Sequence, residues 1–297
     1  MSFSTDVKKE LCSIRTDTFA AEAECHGMLV LCRSFSFDKI LFQTGCREAA
    51  ERFVTLLRLG FDVITSVKEG GKARPTCTVE VVSAADRQRI MHRLGYKASE
   101  KQRIDFSKIK TDVNVLAFIR GAFVSGGNVS DPEKEYRLEF SFKQNETAAD
   151  FLGLLDSHGF EFTMTYRAEK FLVYTKNSTT IEEFLTYLGA GTETLNIIEV
   201  KVVKDVRNRL NRQNNCETSN ILKTANAAFL QNQAIRKLEQ AGKLATLPEE
   251  LYEAAMLRLE NPDMSLASLC RLSKAKLTRS GLNHRLKKLL ELAEELE

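Results

Sequence analysis

Apolar and polar positions alternate at two periods along the first 190 residues, and the alternation runs twice. Residues 20–33 (AAEAECHGMLVLCR) carry an apolar helical pattern, and the hairpin-like stretch SFSFDKILFQT follows. The same reading gives a helix at 46–59, a strand FDVITSV, a Gly-rich turn EGGKARP, a strand CTVEVV and a helix over 83–94. The pattern then resumes with a helix at 112–124, a turn GGNVSDPEKE, a strand YRLEFSF and a helix TAADFLGLLDSHG. Strands FEFTMTY and FLVYT and a helix TTIEEFLTYLG close it, so both copies read αββαββα.

Residue matches support a duplication. Ala49-Ala50-Glu51 aligns with Ala148-Ala149-Asp150 at an offset of 99, which also pairs Leu56 with Leu155 and Gly60-Phe61 with Gly159-Phe160. Leu94-Gly95 meets Leu188-Gly189 at an offset of 94, the drift of five being a difference in turn length. Two such units imply a pseudo-two-fold saddle of sheet backed by helices, giving the α+β fold class. This places one domain at 1–195, with repeats at about 20–95 and 112–190.

Beyond residue 195 the strand period disappears. TETLNIIEVKVVKD reads as a linker and RNRLNRQNNCETSN as a polar run, so 196–220 is linker and start of a helix. Helical spacing resumes through ILKTANAAFLQNQAIRKLEQAG, with Gly242 as a C-cap. Pro248, Glu249 and Glu250 start the next helix, where the fixed φ of proline and the helix dipole both suit them. It stops at Asn261-Pro262. Ser265 caps a short helix, the turn SKAKLT follows, and RSGLNHRLKKLLELAEEL is the last helix. The expectation is an all-α helix-turn-helix domain over 221–297, its motif at about 265–297.

Charge changes the picture at this end. The run Arg271–Lys288 holds seven bases (Arg271, Lys274, Lys276, Arg279, Arg285, Lys287 and Lys288) and no acid, in a chain of net charge +3. From Lys201 onward there are 17 basic and 12 acidic residues, leaving −2 for the rest. Leu282, Leu286, Leu289, Leu290 and Ala293 recur at helical spacing and form a packing face. Bases crowd the start of this helix and Glu291, Glu294, Glu295 and Glu297 its end, the order the macrodipole disfavours. A short basic helix presented by another helix fits the major groove of double-stranded DNA. The DNA-contact candidates are Ser265, Lys274, Lys276, Arg279, Ser280, Asn283, His284, Arg285, Lys287 and Lys288. Asparagine reads adenine and arginine reads guanine in that groove, while lysine favours phosphate. Arg207, Arg209 and Arg212 are candidates for a second DNA surface or for a polar hinge.

Other chemistries find little support. The seven cysteines are scattered without a C-x-x-C, and the four histidines form no H-E-x-x-H, so neither metal nor cofactor is implied. No apolar run reaches the ~20 residues of a membrane span, and the N-terminus lacks an apolar signal core. A cytoplasmic, nucleoid-associated monomer is the expectation.

The segments RGAFVSGGNVSDPEKEYRLE, RNRLNRQNNCETSNILKTANAAFLQNQAIRKL, LPEELYEAAMLRLENPDMSLASL and TRSGLNHRLKKL closely resemble the WhiA family of bacterial regulators. The resemblance covers nearly the whole chain. It implies a LAGLIDADG homing-endonuclease-like domain joined to a helix-turn-helix domain like region 4 of sigma factors. It implies a DNA-binding transcriptional regulator acting in cell division, chromosome segregation and, in spore formers, sporulation, with other transcription factors or RNA polymerase as partners. Active relatives of that fold place an acid before a glycine at the end of each motif helix, to hold divalent metal for phosphodiester cleavage. Here Gly126 stands before Gly127, the first-copy candidates Cys32, Arg33 and Ser34 are not acids, and the nearest carboxylate is Asp38. Catalytic residues are therefore expected to be none. Gly121 is expected to permit close packing of the two motif helices, and Gly126-Gly127 to form the exit turn. The first motif and the turn SKAKLT depart from the family pattern. The rival readings are an active endonuclease of this fold and an RNA- or protein-binding scaffold.

Overall fold

The computed structural model describes residues 2–70, 76–98, 103–273 and 277–296. The chain divides into two compact units, Met1–Lys204 and Asp205–Glu297. Lys274 and Lys276, and most of the Gly-rich turn EGGKARP, lie outside the described residues.

The first unit opens with a helix the hydrophobic pattern did not reveal, α1 (Phe3–Ser13), capped by Ser2. The first repeat follows as α2 (Thr18–Val30), β1 (Ser34–Phe35), β2 (Ile40–Thr44), α3 (Arg47–Phe61), β3 (Lys68–Gly70), β4 (Thr76–Val81) and α4 (Ala84–Arg93). The second is α5 (Asp112–Gly126), β5 (Gly127–Val129), β6 (Leu138–Phe142), α6 (Asn145–Ser157), β7 (Thr163–Arg167), β8 (Lys170–Thr175) and α7 (Ser178–Leu188). Both are αββαββα. Their sheets have matching antiparallel orders, β1-β2-β4-β3 and β5-β6-β8-β7.

Several boundaries differ from the sequence reading for physical reasons. FDVITSV is not a strand: α3 continues to Phe61, Asp62 takes the left-handed conformation that ends it, and β3 starts only at Lys68. The residue that performs this stop in the second repeat is Gly159, with φ +80°. The aligned Gly60 instead lies inside α3, where a Cβ would come within 3.1 Å of the Glu22 backbone. Leu94-Gly95 and Leu188-Gly189 do share a role, since both glycines turn left-handed after α4 and α7. In GGNVSDPEKE, Gly127–Val129 forms β5 against β6, so only the residues beyond it turn.

Burial explains why the sheets hold. Along β6 the inward residues Leu138, Phe140 and Phe142 alternate with outward ones, and Phe140 packs against Phe123, Phe151, Phe162 and Phe184. In the first repeat Ile40 and Phe42 of β2 and Val79 and Val81 of β4 fill the same layer.

From Gly191 to Gln240 the backbone is one continuous helix, α8, of 50 residues. The segment read as a linker is therefore helical, which follows from the absence of proline and glycine between Thr192 and Ala241. Its first turn is held by α1, where the Glu10 carboxylate accepts from the backbone N–H groups of Thr192 and Glu193 at 2.7 and 3.0 Å. The second unit contains the C-terminal part of α8, then α9 (Glu249–Glu260), α10 (Leu266–Leu272) and α11 (Arg279–Glu294). Ile235 and Leu238 pack with Ala254, Ala255, Leu269, Leu282, Leu286 and Leu289 into one apolar core.

Candidate nucleic-acid interface

Two capping residues define the helix-turn-helix. Ser265 accepts from the Ser268 N–H at 3.2 Å at the start of α10, and Thr278 accepts from the Gly281 N–H at 3.1 Å at the start of α11. Arg258, only 2% exposed, donates to the carbonyls of Asn261 and Met264 and so fixes the turn between α9 and α10. Sequence reasoning missed Arg258. Its one signal was a base among the apolar positions of AAMLRLENP.

Leu282, Leu286, Leu289 and Ala293 are buried, as the spacing predicts. Arg279, Ser280, Asn283, His284, Lys287 and Lys288 are exposed. At about 100° per residue Ser280, His284, Lys287 and Lys288 lie away from the buried face of α11, Asn283 is on its flank, and Arg279 is exposed as the first residue of the helix. Arg271, at the end of α10, is exposed as well. α11 has no acid in its first turn and no base in its last, so cations sit where the helix dipole is positive. Lys288 pairs at 3.3 Å with Glu291, an exposed contact worth little.

Two candidates sit differently from the sequence reading. Arg285 lies on the flank facing α9, its side chain 19% exposed and bonded to Glu250 at 2.8 Å. Ser265 is engaged as a cap and half-buried. Arg207, Arg209 and Arg212 are all exposed on α8. At about 100° per residue, Arg209 and Arg212 lie near one another and Arg207 faces away, so the three do not form one surface.

The motif helices of the first unit meet backbone to backbone. A Cβ at Gly121 of α5 would lie 2.0 Å from the Glu24 carbonyl oxygen, and one at Gly27 of α2 would lie 1.9 Å from that of Phe118. Gly121 was expected to permit this contact, but its counterpart Gly27 was not recognised. The pairing sets a register of 94 residues between the two helices, which makes Cys32 the counterpart of Gly126. The acid position of the second helix is sterically closed too, because a Cβ at Gly126 would come within 2.7 Å of the Leu31 Cβ. The Cys32 thiol is buried, its pKa pushed up to about 12 by desolvation. Among the described residues no group of three or more His, Cys, Asp or Glu could hold a metal ion, and no helix is long and apolar enough to cross a membrane.

Residues 210–293 match the WhiA C-terminal HTH domain, and residues 115–207 match the WhiA LAGLIDADG-like domain. A relative in Clostridium perfringens named a probable cell division protein WhiA is 34% identical over 311 residues, covering 100% of this chain and 98% of its own. The chain belongs to the WhiA family. A WhiA relative in Ruminiclostridium cellulolyticum, of the same description, is 33% identical with 100% and 98% coverage. The crystal structure of full-length WhiA from Thermatoga maritima superposes with a TM-score of 0.59 at 23% identity, covering 99% of each chain. The structure of an N-terminal LAGLIDADG domain of WhiA gives 0.51 at 19% identity, covering 63% of this chain and 92% of its own. The fold of this WhiA-family chain is thus a LAGLIDADG-like unit followed by a helix-turn-helix unit.

Proposed function

We propose that this chain is a non-enzymatic DNA-binding regulator of cell division, acting in transcription through α11. The observation that carries this reading is the acid-free stretch Arg279–Lys288 of α11, in which Arg279, Ser280, Asn283, His284, Lys287 and Lys288 are exposed while Leu282, Leu286 and Leu289 are buried. Cation-rich faces of this kind neutralise phosphate, and Asn283 has the chemistry to read adenine. The names of the relatives supply the cell-division role, and the family resemblance extends it to chromosome segregation and sporulation. Arg285, tied to Glu250, acts in this reading as a brace that orients α11 rather than as a free reading group. Lys274 and Lys276 remain candidates for phosphate contacts by their place in the basic run. Cys32 and the closed position at Gly126 support a unit without nuclease activity.

Binding of the full chain to duplex DNA, followed by fluorescence anisotropy across a salt series, tests this reading. If Arg279, Lys287 and Lys288 each neutralise one phosphate, the log–log slope is about −3 or steeper. Lys287→Ala/Lys288→Ala should make it shallower by about 2 while leaving the melting temperature unchanged. A flat salt dependence, or an unaltered slope in the double variant, would remove α11 from the interface. With Mg²⁺ or Mn²⁺ present the DNA should remain uncut.

A further inference from the structure

Beside the converging ends of α2 and α5, the first unit holds a cavity of about 680 Å³. That lies within the roughly 300–1,000 Å³ of small-molecule sites. Its charged lining is basic, Arg33, Lys143 and Lys170, and no carboxylate lines it. The fold gives the first two only neutral partners, since Arg33 donates to the Gln43 side chain and the Lys143 ammonium to the Arg33 carbonyl. Among the described residues none of the three forms an ion pair with an acid. All three are exposed, so water screens their mutual repulsion, and together they make the open cavity electropositive. The start of α6, marked on the wall by Gln144 and Thr147, adds the positive end of a helix dipole. The opposite wall is apolar, from Val30, Leu31 and Phe35.

We propose that this cavity binds a phosphate ester of about nucleotide size, its phosphate between Arg33, Lys143 and Lys170 and its organic part against Val30, Leu31 and Phe35. The hydroxyls of Ser34 and Ser141 line the same space and can donate to phosphate oxygens. Side-chain cations then take the place of divalent metal, and the phosphate is held without being activated. The site lies wholly within the first unit and does not depend on the reading of α11. A free nucleotide and a backbone phosphate of a nucleic acid share this chemistry.

Isothermal titration calorimetry on the full chain distinguishes the two sources, with inorganic phosphate, adenosine monophosphate and a short DNA duplex as probes. Wild type and Lys143→Gln/Lys170→Gln are compared. Both lysines are exposed, so the double variant should melt like wild type; if it does not, Lys170→Gln alone replaces it. The expected result is saturable binding of adenosine monophosphate, weakened at least roughly tenfold in the variant. Dependence on these lysines for the duplex alone would assign the phosphate to a nucleic-acid backbone. No binding by any probe, or equal affinities in wild type and variant for all three, overturns the proposal. Arg279→Ala/Lys287→Ala, which disables α11 but not the cavity, should leave adenosine monophosphate binding unchanged.

Discussion

The two repeats of the first unit share a topology and differ in what they bury. The second is built on phenylalanine: Phe140 touches four other rings, and Phe118 faces Phe151. The first keeps polar groups at depth. Glu24 of α2 and Arg52 of α3 are both buried and paired side-on, and Arg52 also donates to the carbonyls of Cys12 and Ile14. In the register set by Gly27 and Gly121, Glu24 corresponds to Phe118 and His26 to Arg120. One backbone plan thus carries two core chemistries. The difference has a structural occasion, because α1 ends against the first repeat and its last carbonyls need donors that Arg52 supplies.

The largest effect expected is at the element the repeats share. Gly27→Val or Gly121→Val would force α2 and α5 apart, since even a Cβ falls about 2 Å from a backbone oxygen. Neither variant should give a folded first unit, as read by loss of cooperative thermal unfolding. Gly153→Ala, in the exposed middle of α6 with nothing within 4 Å, should instead stabilise by about 0.5–1 kcal/mol. A folded Gly27→Val would show that the helices can separate and would undo the 94-residue register on which the comparison rests.

The next effect separates the repeats. Glu24→Leu strands the Arg52 guanidinium in the core and should cost about 3–5 kcal/mol in urea unfolding. Adding Arg52→Met should recover part of that loss, because the second repeat already shows an apolar side chain working at the equivalent position of its motif helix. A double variant no better than the single one would mean that the carbonyls of Cys12 and Ile14, not the charge of Glu24, are what Arg52 is needed for.

How much of this was legible depended on period. Both repeats were readable because strands and helices of amphipathic elements alternate at their own spacings, and the leucines of α11 declared its buried face for the same reason. α1 was missed because Val7 and Leu11 are its only fully buried large side chains, too few to stand out against a polar background. α8 was cut short because a helix with so little buried surface through its asparagine-rich middle carries no apolar stripe to follow. Arg285 was read as lying among polar neighbours; its pairing with Glu250, 35 residues earlier, is a tertiary contact that no local pattern announces. The cavity at Arg33, Lys143 and Lys170 was invisible because its residues come from widely separated segments.

A smaller effect than that of the Glu24–Arg52 pair is a pH dependence that belongs to the first repeat alone. His26 is fully buried, with its Nε2 2.9 Å from the Tyr96 hydroxyl, and desolvation lowers its pKa to about 4 against a slight opposing pull from Asp105. Its folded pKa is below its unfolded value near 6.5, so the unfolded chain takes up the proton first as pH falls. The contribution is whole above pH 6.5 and is lost between about 6.5 and 4, amounting to about 2 kcal/mol by pH 5. Arg120, the equivalent residue of the second repeat, donates to the Leu188 carbonyl and stays charged through this range, so it adds no such slope. Urea unfolding at pH 7 and pH 5 should show wild type losing more stability than His26→Gln, whose starting stability is lower because Tyr96 loses its ring partner. Equal losses in the two proteins would mean that His26 is hydrated in the folded state, and that the polar interior of the first repeat is wetter than its packing against Tyr96 and Phe118 implies.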